Sequence, residues 1–292
     1  MGIDKIIFGD NQFFGINHMS EAKAAASGER FRDTAEIIKV IDWAYDCGIH
    51  AFMFCTHERV AEICDHFRAN PERYKDLSLY PAMPYAHKYA NAVAEKGMIG
   101  ALTDVLVKDN SAGNILSMIA NAGKGVLKQD PFEVMKVLID AEMKMFRGLR
   151  VKAVFLQNIV TDLLMGYGVE EVPAQFAKYI RNKYHAEPGF ITQNLPTLVD
   201  FLEKAGVENP LVCAGINKIG YLMNPSQKRY EQYIVEKKFQ PMAMSMLASG
   251  AVSPRAAVEY ITSLKNVKSI VFGASSKTHI EQTKKLIDEL IK

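Results

Sequence analysis

The chain has 292 residues, of which 49% are hydrophobic and 23% charged, with a formal net charge of +2. That length suits one large domain, and that balance supports a substantial buried core. A net charge so close to zero, with no arginine-rich tract, argues against a nucleic-acid partner. No stretch approaches the roughly eighteen uninterrupted apolar residues of a membrane-crossing helix. Asp4 and Lys5 arrive too early for a secretory leader. The four cysteines, Cys47, Cys55, Cys64 and Cys213, form no CxxC pair. They read as reduced thiols of a cytoplasmic protein.

Lys5 to Phe8 reads as a first strand, followed by Gly9-Asp10-Asn11-Gln12-Phe13-Phe14-Gly15, whose polar residues suggest a functional loop. The segment from Ala24 to Gly28 offers little to pack and reads as mobile. Asp33 or Thr34 then caps a helix that ends before Gly48, with Ile37, Ile38, Ile41 and Ala44 inward. Ala51 to Cys55 is the second strand, followed by Thr56-His57-Glu58 and a helix beginning at Val60. Leu77 to Met83 is the third, ending at Pro84-Tyr85-Ala86-His87-Lys88. Glycine-broken helical pieces read as a helical insertion over 89–128, and Asp130-Pro131 opens a long helix.

Val151 to Leu156 is the fourth strand and runs into Gln157-Asn158, with a helix expected from Pro173 to Tyr184. Gly189 to Thr192, Leu211 to Ile216, Pro241 to Met246 and Val267 to Phe272 complete eight strands. A helix follows nearly every one. Parallel strands need crossovers of this kind, so the chain is expected to close as an α/β, (β/α)8 TIM barrel in a single domain over 1–292. An open doubly wound sheet is the alternative, but no strand leads into GxGxxG.

Chemistry in such a barrel sits at the carboxyl ends of the strands. Those ends carry Asp10, Cys55, His57, Glu58, Tyr85, His87, Gln157, Asn158, Gln193, Asn217 and Ser245. His57 and His87 are acid–base candidates, because imidazole titrates near neutrality. Asp10 is the isolated carboxylate. Tyr85 becomes a proton donor if a cation such as Lys88 lowers its pKa. The competing readings are hydrogen-bonded surface histidines, a capping carboxylate and rim aromatics. The amides of Gln157, Asn158 and Asn217 suit a planar partner that needs orienting. Alternating Met242, Met244 and Met246 read as inward packing. His18, Cys55, His57 and His87 have no compact ligand spacing, so no metal site is assigned.

The final unit, Val267 to His279, places Gly273 in a tight turn, with Ser275 or Ser276 capping the last helix. A helix N-terminus of that form favours an anion. The stretch VKSIVFGASSKTHIEQT resembles the last strand, cofactor turn and helix of the aldo-keto reductases. AMSMLASGAVSP, Asn217-Lys218-Ile219-Gly220 and AYDCGIHAFMFCT resemble other parts of that barrel. The resemblance implies that Gly273, Ser275, Ser276, Lys277 and His279 meet the adenosine phosphate of NADP or NAD. Gln157, Asn217 and Ser245 would lie along the rest of the cofactor. His279 stands where an arginine is common and Thr283 where an asparagine is common.

The family's catalytic tetrad is not matched. Met53-Phe54-Cys55 replaces the aspartate region, no tyrosine follows at the expected distance, Met83-Pro84 lacks the lysine, and Gln157 replaces the histidine. The resemblance therefore implies an oxidoreductase-like enzyme with a different catalytic set, drawn from Asp10, His57, Tyr85 and His87. Its partner would be a small-molecule substrate. Two alternatives share the barrel: a lyase, isomerase or hydrolase acting on a phosphorylated metabolite, and a non-catalytic binding or assembly protein.

Overall fold

The computed structural model describes residues 2–14, 21–86 and 131–290. Eight parallel strands form a closed ring, each paired with its neighbour in sequence order. They are β1 (Ile6–Phe8), β2 (Ala51–Cys55), β3 (Ser78–Met83), β4 (Ala153–Leu156), β5 (Glu187–Thr192), β6 (Leu211–Gly215), β7 (Gln240–Met244) and β8 (Ser269–Phe272). The ring closes where Ile6, Ile7 and Phe8 pair with Ile270, Val271 and Phe272. Around it lie α1 (Glu21–Arg30), α2 (Thr34–Asp46), α3 (Arg59–Ala69), α4 (Pro131–Met143), α5 (Asn158–Tyr167), α6 (Glu171–Tyr184), α7 (Leu195–Lys204), α8 (Gln227–Glu236), α9 (Pro254–Ser263) and α10 (Lys277–Leu290). The insertion expected over 89–128 lies outside the described residues.

Two apolar layers follow from the two-residue period of a strand. Ile7, Met53, Tyr80, Phe155, Cys213, Met242 and Val271 pack together inside the ring. Phe8, Phe52, Phe54, Val154, Phe190 and Val212 belong to the larger core between ring and helices. Met244 joins the inner layer, but Met246 does not, contrary to the expected alternation. β7 ends at Met244, and Ser245 at φ 53° turns the chain outward.

The floor of the ring is polar and fully engaged. Asp4 accepts from Lys152 Nζ at 2.7 and 2.8 Å and from Tyr80 Oη at 2.5 Å. Its carbonyl accepts from Ser269 Oγ at 2.6 Å. These bonds tie the chain before β1 to β3, β4 and β8, so the strand carboxyl ends form the face on which the candidate site is built.

Two local expectations differ from the structure. Ala24 to Gly28 lies within α1, where alanine's helix propensity suffices without a wide apolar stripe. α5 begins directly after β4. Its β-branched Ile159, Val160 and Thr161 weaken the local helix signal, and it ends on Gly168 in the left-handed conformation (φ 67°).

Gly189 in β5 is a close-approach glycine. A Cβ there would lie 2.4 Å from Phe155 Cε1, and that ring fills the middle of the barrel. We expect Gly189→Ala to lower stability by about 1–3 kcal/mol in urea unfolding, the usual range for overpacking a filled core. Adding Phe155→Leu should recover part of the loss; an unchanged double variant would mean that the ring is not the obstacle.

Candidate functional site

The site is assembled from the ends of the first four strands. Asp10 follows β1 and is 5% exposed; its Oδ2 accepts from the backbone N–H of Cys55, the last residue of β2, at 2.6 Å. The Cys55 side chain also hydrogen-bonds to it. Burial raises the Asp10 carboxyl from 3.8 to about 7, against the opposing effect of these hydrogen bonds. Burial, and then the Asp10 charge, raises the Cys55 thiol well above its ordinary value, which makes it a poor nucleophile.

Gln157 at the end of β4 is buried. Its Oε1 accepts from Ala86 N at 2.9 Å, and its Nε2 donates to Cys55 Sγ at 3.8 Å. The amide thus joins the ends of β2, β3 and β4. Tyr85 is half-buried nearby. Burial raises its phenol, and the proximity of Cys55 and Asp10 raises it further. Lys88, the cation whose approach would lower it, lies outside the described residues. Tyr85 remains a protonated donor at neutral pH.

His57 stacks on Phe14, with ring centroids 4.3 Å apart at 15°, and its centroid is 6.1 Å from that of Tyr85. Asp10, His57 and Tyr85 therefore occupy one arc of the mouth. His87 lies outside the described residues. Glu58 is exposed at the start of α3 and makes no side-chain capping bond.

Other predicted positions have structural partners of their own. Asn217 is fully buried; its Nδ2 donates to Tyr221 O at 2.8 Å and its Oδ1 accepts from Tyr221 N at 2.8 Å. Both ends of the amide close its own loop. Ser245 is half-buried and starts a loop in which Ala248 and Ser249 also have positive φ, at 46° and 56°.

At the last turn, Ser276 Oγ accepts from His279 N at 3.4 Å and caps α10, while Ser275 and Ser276 remain half-buried and Gly273, Lys277 and His279 exposed. Gln12 covers Gly273 so closely that a Cβ there would fall 2.0 Å from its Oε1. Arg30 reaches from α1 to donate to Ser275 O at 2.5 Å. A helix N-terminus with Lys277, His279 and Arg30 around it suits a phosphate. The donor set fits the phosphate end of a nucleotide, with Gln12 lying over the turn.

Several participants carry no signal in the sequence. Glu142, near the end of α4, is 1% exposed and accepts from Thr56 Oγ1 at 2.5 Å and from Tyr85 N at 3.1 and 3.2 Å. It reaches the ends of β2 and β3 from a helix whose spacing marks only an apolar side. Arg30 and Arg59 likewise reach the mouth through tertiary packing, whereas Gln12 belongs to the polar loop after β1 that reads as functional in the sequence. Among the described residues, no three His, Cys, Asp or Glu side chains are grouped to hold a metal ion, and no helix is long and apolar enough to cross a membrane.

No protein-family profile matches the sequence, and no curated protein matches it. Solved structures are similar in fold. A Pseudomonas aeruginosa protein assigned as an aldo-keto reductase aligns over 100% of this chain and 92% of its own, at 12% identity and a TM-score of 0.61. An aldo-keto reductase from Brucella melitensis aligns over 99% and 91%, at 11% identity and 0.57. The thermostable aldo-keto reductase Tm1743, bound to the inhibitor epalrestat, aligns over 98% and 90%, at 11% identity and 0.58. At these identities the shared property is the barrel.

The Asp10 carboxyl makes stability depend on pH in a stated direction. Its folded value near 7 exceeds the unfolded 3.8, so the folded chain retains a proton that the unfolded chain releases. The resulting loss is absent below about pH 4, grows up to about pH 7 and is then constant, at about 4 kcal/mol at most. Asp10→Asn keeps an acceptor for Cys55 N–H and removes this loss. In urea unfolding, its stability relative to wild type should rise between pH 4 and pH 8; a constant difference would contradict the buried titration.

Proposed function

We propose that this protein is an oxidoreductase-like barrel enzyme acting on a small-molecule substrate, with a nicotinamide cofactor and a proton-transfer site unlike the family's usual tetrad. The observation that carries this reading is the buried Asp10 carboxyl at the strand ends, raised to about 7. A group of that value exchanges a proton readily at neutral pH, which is what a general acid–base requires. Tyr85 and His57 form the adjoining aromatic wall, and Gln157 and Glu142 fix the backbone that presents it.

The cofactor assignment is supported by the last turn, where the start of α10, Lys277 and Arg30 provide positive potential around Ser275 and Ser276. A reduced nicotinamide would supply hydride. The chain's own part is to hold the phosphate at that turn and to deliver the proton from Asp10 to the oxygen of the reduced group. Exclusion of water favours this transfer, because Asp10 is 5% exposed. The likeness of fold to aldo-keto reductases supports the redox reading over a lyase or hydrolase on the same barrel.

Fluorescence titration of the protein with NADPH and NADH tests the assignment. Saturable binding of one of them is expected, weakened about tenfold by Lys277→Glu, equivalent to roughly 1.4 kcal/mol. Absence of binding of both at millimolar concentration would overturn it. Binding of inorganic phosphate without either dinucleotide would also overturn it, in favour of a phosphorylated substrate.

A further inference from the structure

Gln157, Cys55 and Asp10 stand in a row across the ends of β4, β2 and β1, and each contact in the row has a fixed direction. The backbone N–H of Ala86 can only donate, so the amide oxygen of Gln157 faces it, at 2.9 Å. The amide nitrogen is thereby turned to Cys55 Sγ, to which it donates at 3.8 Å. A sulfur that accepts on one side keeps its own hydrogen for the other, and the Cys55 side chain hydrogen-bonds to the Asp10 carboxyl. Gln157 and Asp10 are each 5% exposed, so water competes little at either end of the row.

We propose that Gln157 and Cys55 are the positioning residues of the proton-transfer site: the amide turns the thiol's hydrogen onto the Asp10 carboxyl, and the side chains at 157 and 55 together set how strong an acid Asp10 is. This assignment rests on the proton-transfer reading given above. Donation to a carboxyl favours its ionised form, and a thiol polarised by an amide donates better than a thiol alone. The backbone N–H of Cys55 also reaches Asp10, but any residue at position 55 supplies it. The role assigned here belongs to the side chain. The other titratable groups around the row are Tyr85, which the Asp10 charge reaches, His57 beyond that ring, and Glu142, whose charge acts with that of Asp10 on the thiol.

The test is a 13C NMR titration of the Asp10 carboxyl, without ligand, in wild type, Cys55→Ala, Gln157→Met and the double variant, each with unchanged far-UV circular dichroism. Cys55→Ala keeps the backbone donor and removes the thiol. It should raise the midpoint by about one pH unit, the scale of one hydrogen bond to a charged group. Gln157→Met should raise it by less, and should add nothing in the Cys55→Ala background, because the amide acts only through the sulfur. If Cys55→Ala fails to fold, Cys55→Ser, whose hydroxyl is the stronger donor, should instead lower the midpoint.

A midpoint indifferent to the side chain at position 55, or a Gln157→Met effect of equal size with and without the thiol, would overturn the proposal. The differences between variants judge the row alone. A wild-type midpoint of about 4 would remove the proton-transfer reading, and failure to bind a nicotinamide would remove the cofactor, without altering those differences.

Discussion

The mouth of this barrel depends on one hydrogen bond between adjacent strands. Cys55 N–H donates to Asp10 Oδ2 at 2.6 Å, and so ties the loop after β1 to the end of β2. The bond places a carboxyl where water scarcely reaches. Two backbone donors, of Cys55 and of Asp10 itself, and one thiol do not compensate an ionised group for the hydration it loses, so the carboxyl retains its proton to about pH 7. The same acidity acts on its neighbours: the Cys55 thiol and the Tyr85 phenol are both driven further toward their protonated forms. The result is a cluster of proton-bearing groups with no cation among the described causes of their shifts.

Structure outside the cluster holds its geometry. Gln157 joins three strand ends through one amide, and Glu142 reaches from α4 to the hydroxyl of Thr56 and the backbone of Tyr85. At the opposite end, Asp4, Lys152, Tyr80 and Ser269 close the ring. Phe155 occupies the middle because Gly189 leaves room for it. The barrel is therefore filled between its polar floor and its mouth.

The strands were legible because parallel, doubly buried strands leave short runs of branched and aromatic residues, such as Ala51–Cys55, bounded by polar loops. The placement of Asp10, His57 and Tyr85 followed from the rule that barrel sites collect at strand ends. What could not be read was partnership. Nothing in the spacing of α4 sets Glu142 apart from other surface-type residues, and Asn217 has the same composition whether it faces a ligand or closes its own turn. Arg30 and Arg59 act through contacts 245 and 28 residues away in sequence. α5 leaves little helix signal because the β-branched residues at its start imitate a strand. Local pattern encodes the element; packing alone decides which side chains meet.

Under the proposed function, the proton comes from the carboxyl in the loop after β1. The direct measurement is a 13C NMR titration of the Asp10 side-chain carboxyl in the intact protein, assigned with Asp10→Asn. A midpoint near pH 7, about three units above that of an exposed aspartate, is the predicted result. A midpoint near 4 would show the carboxyl ionised throughout the neutral range and would contradict its role as the proton carrier.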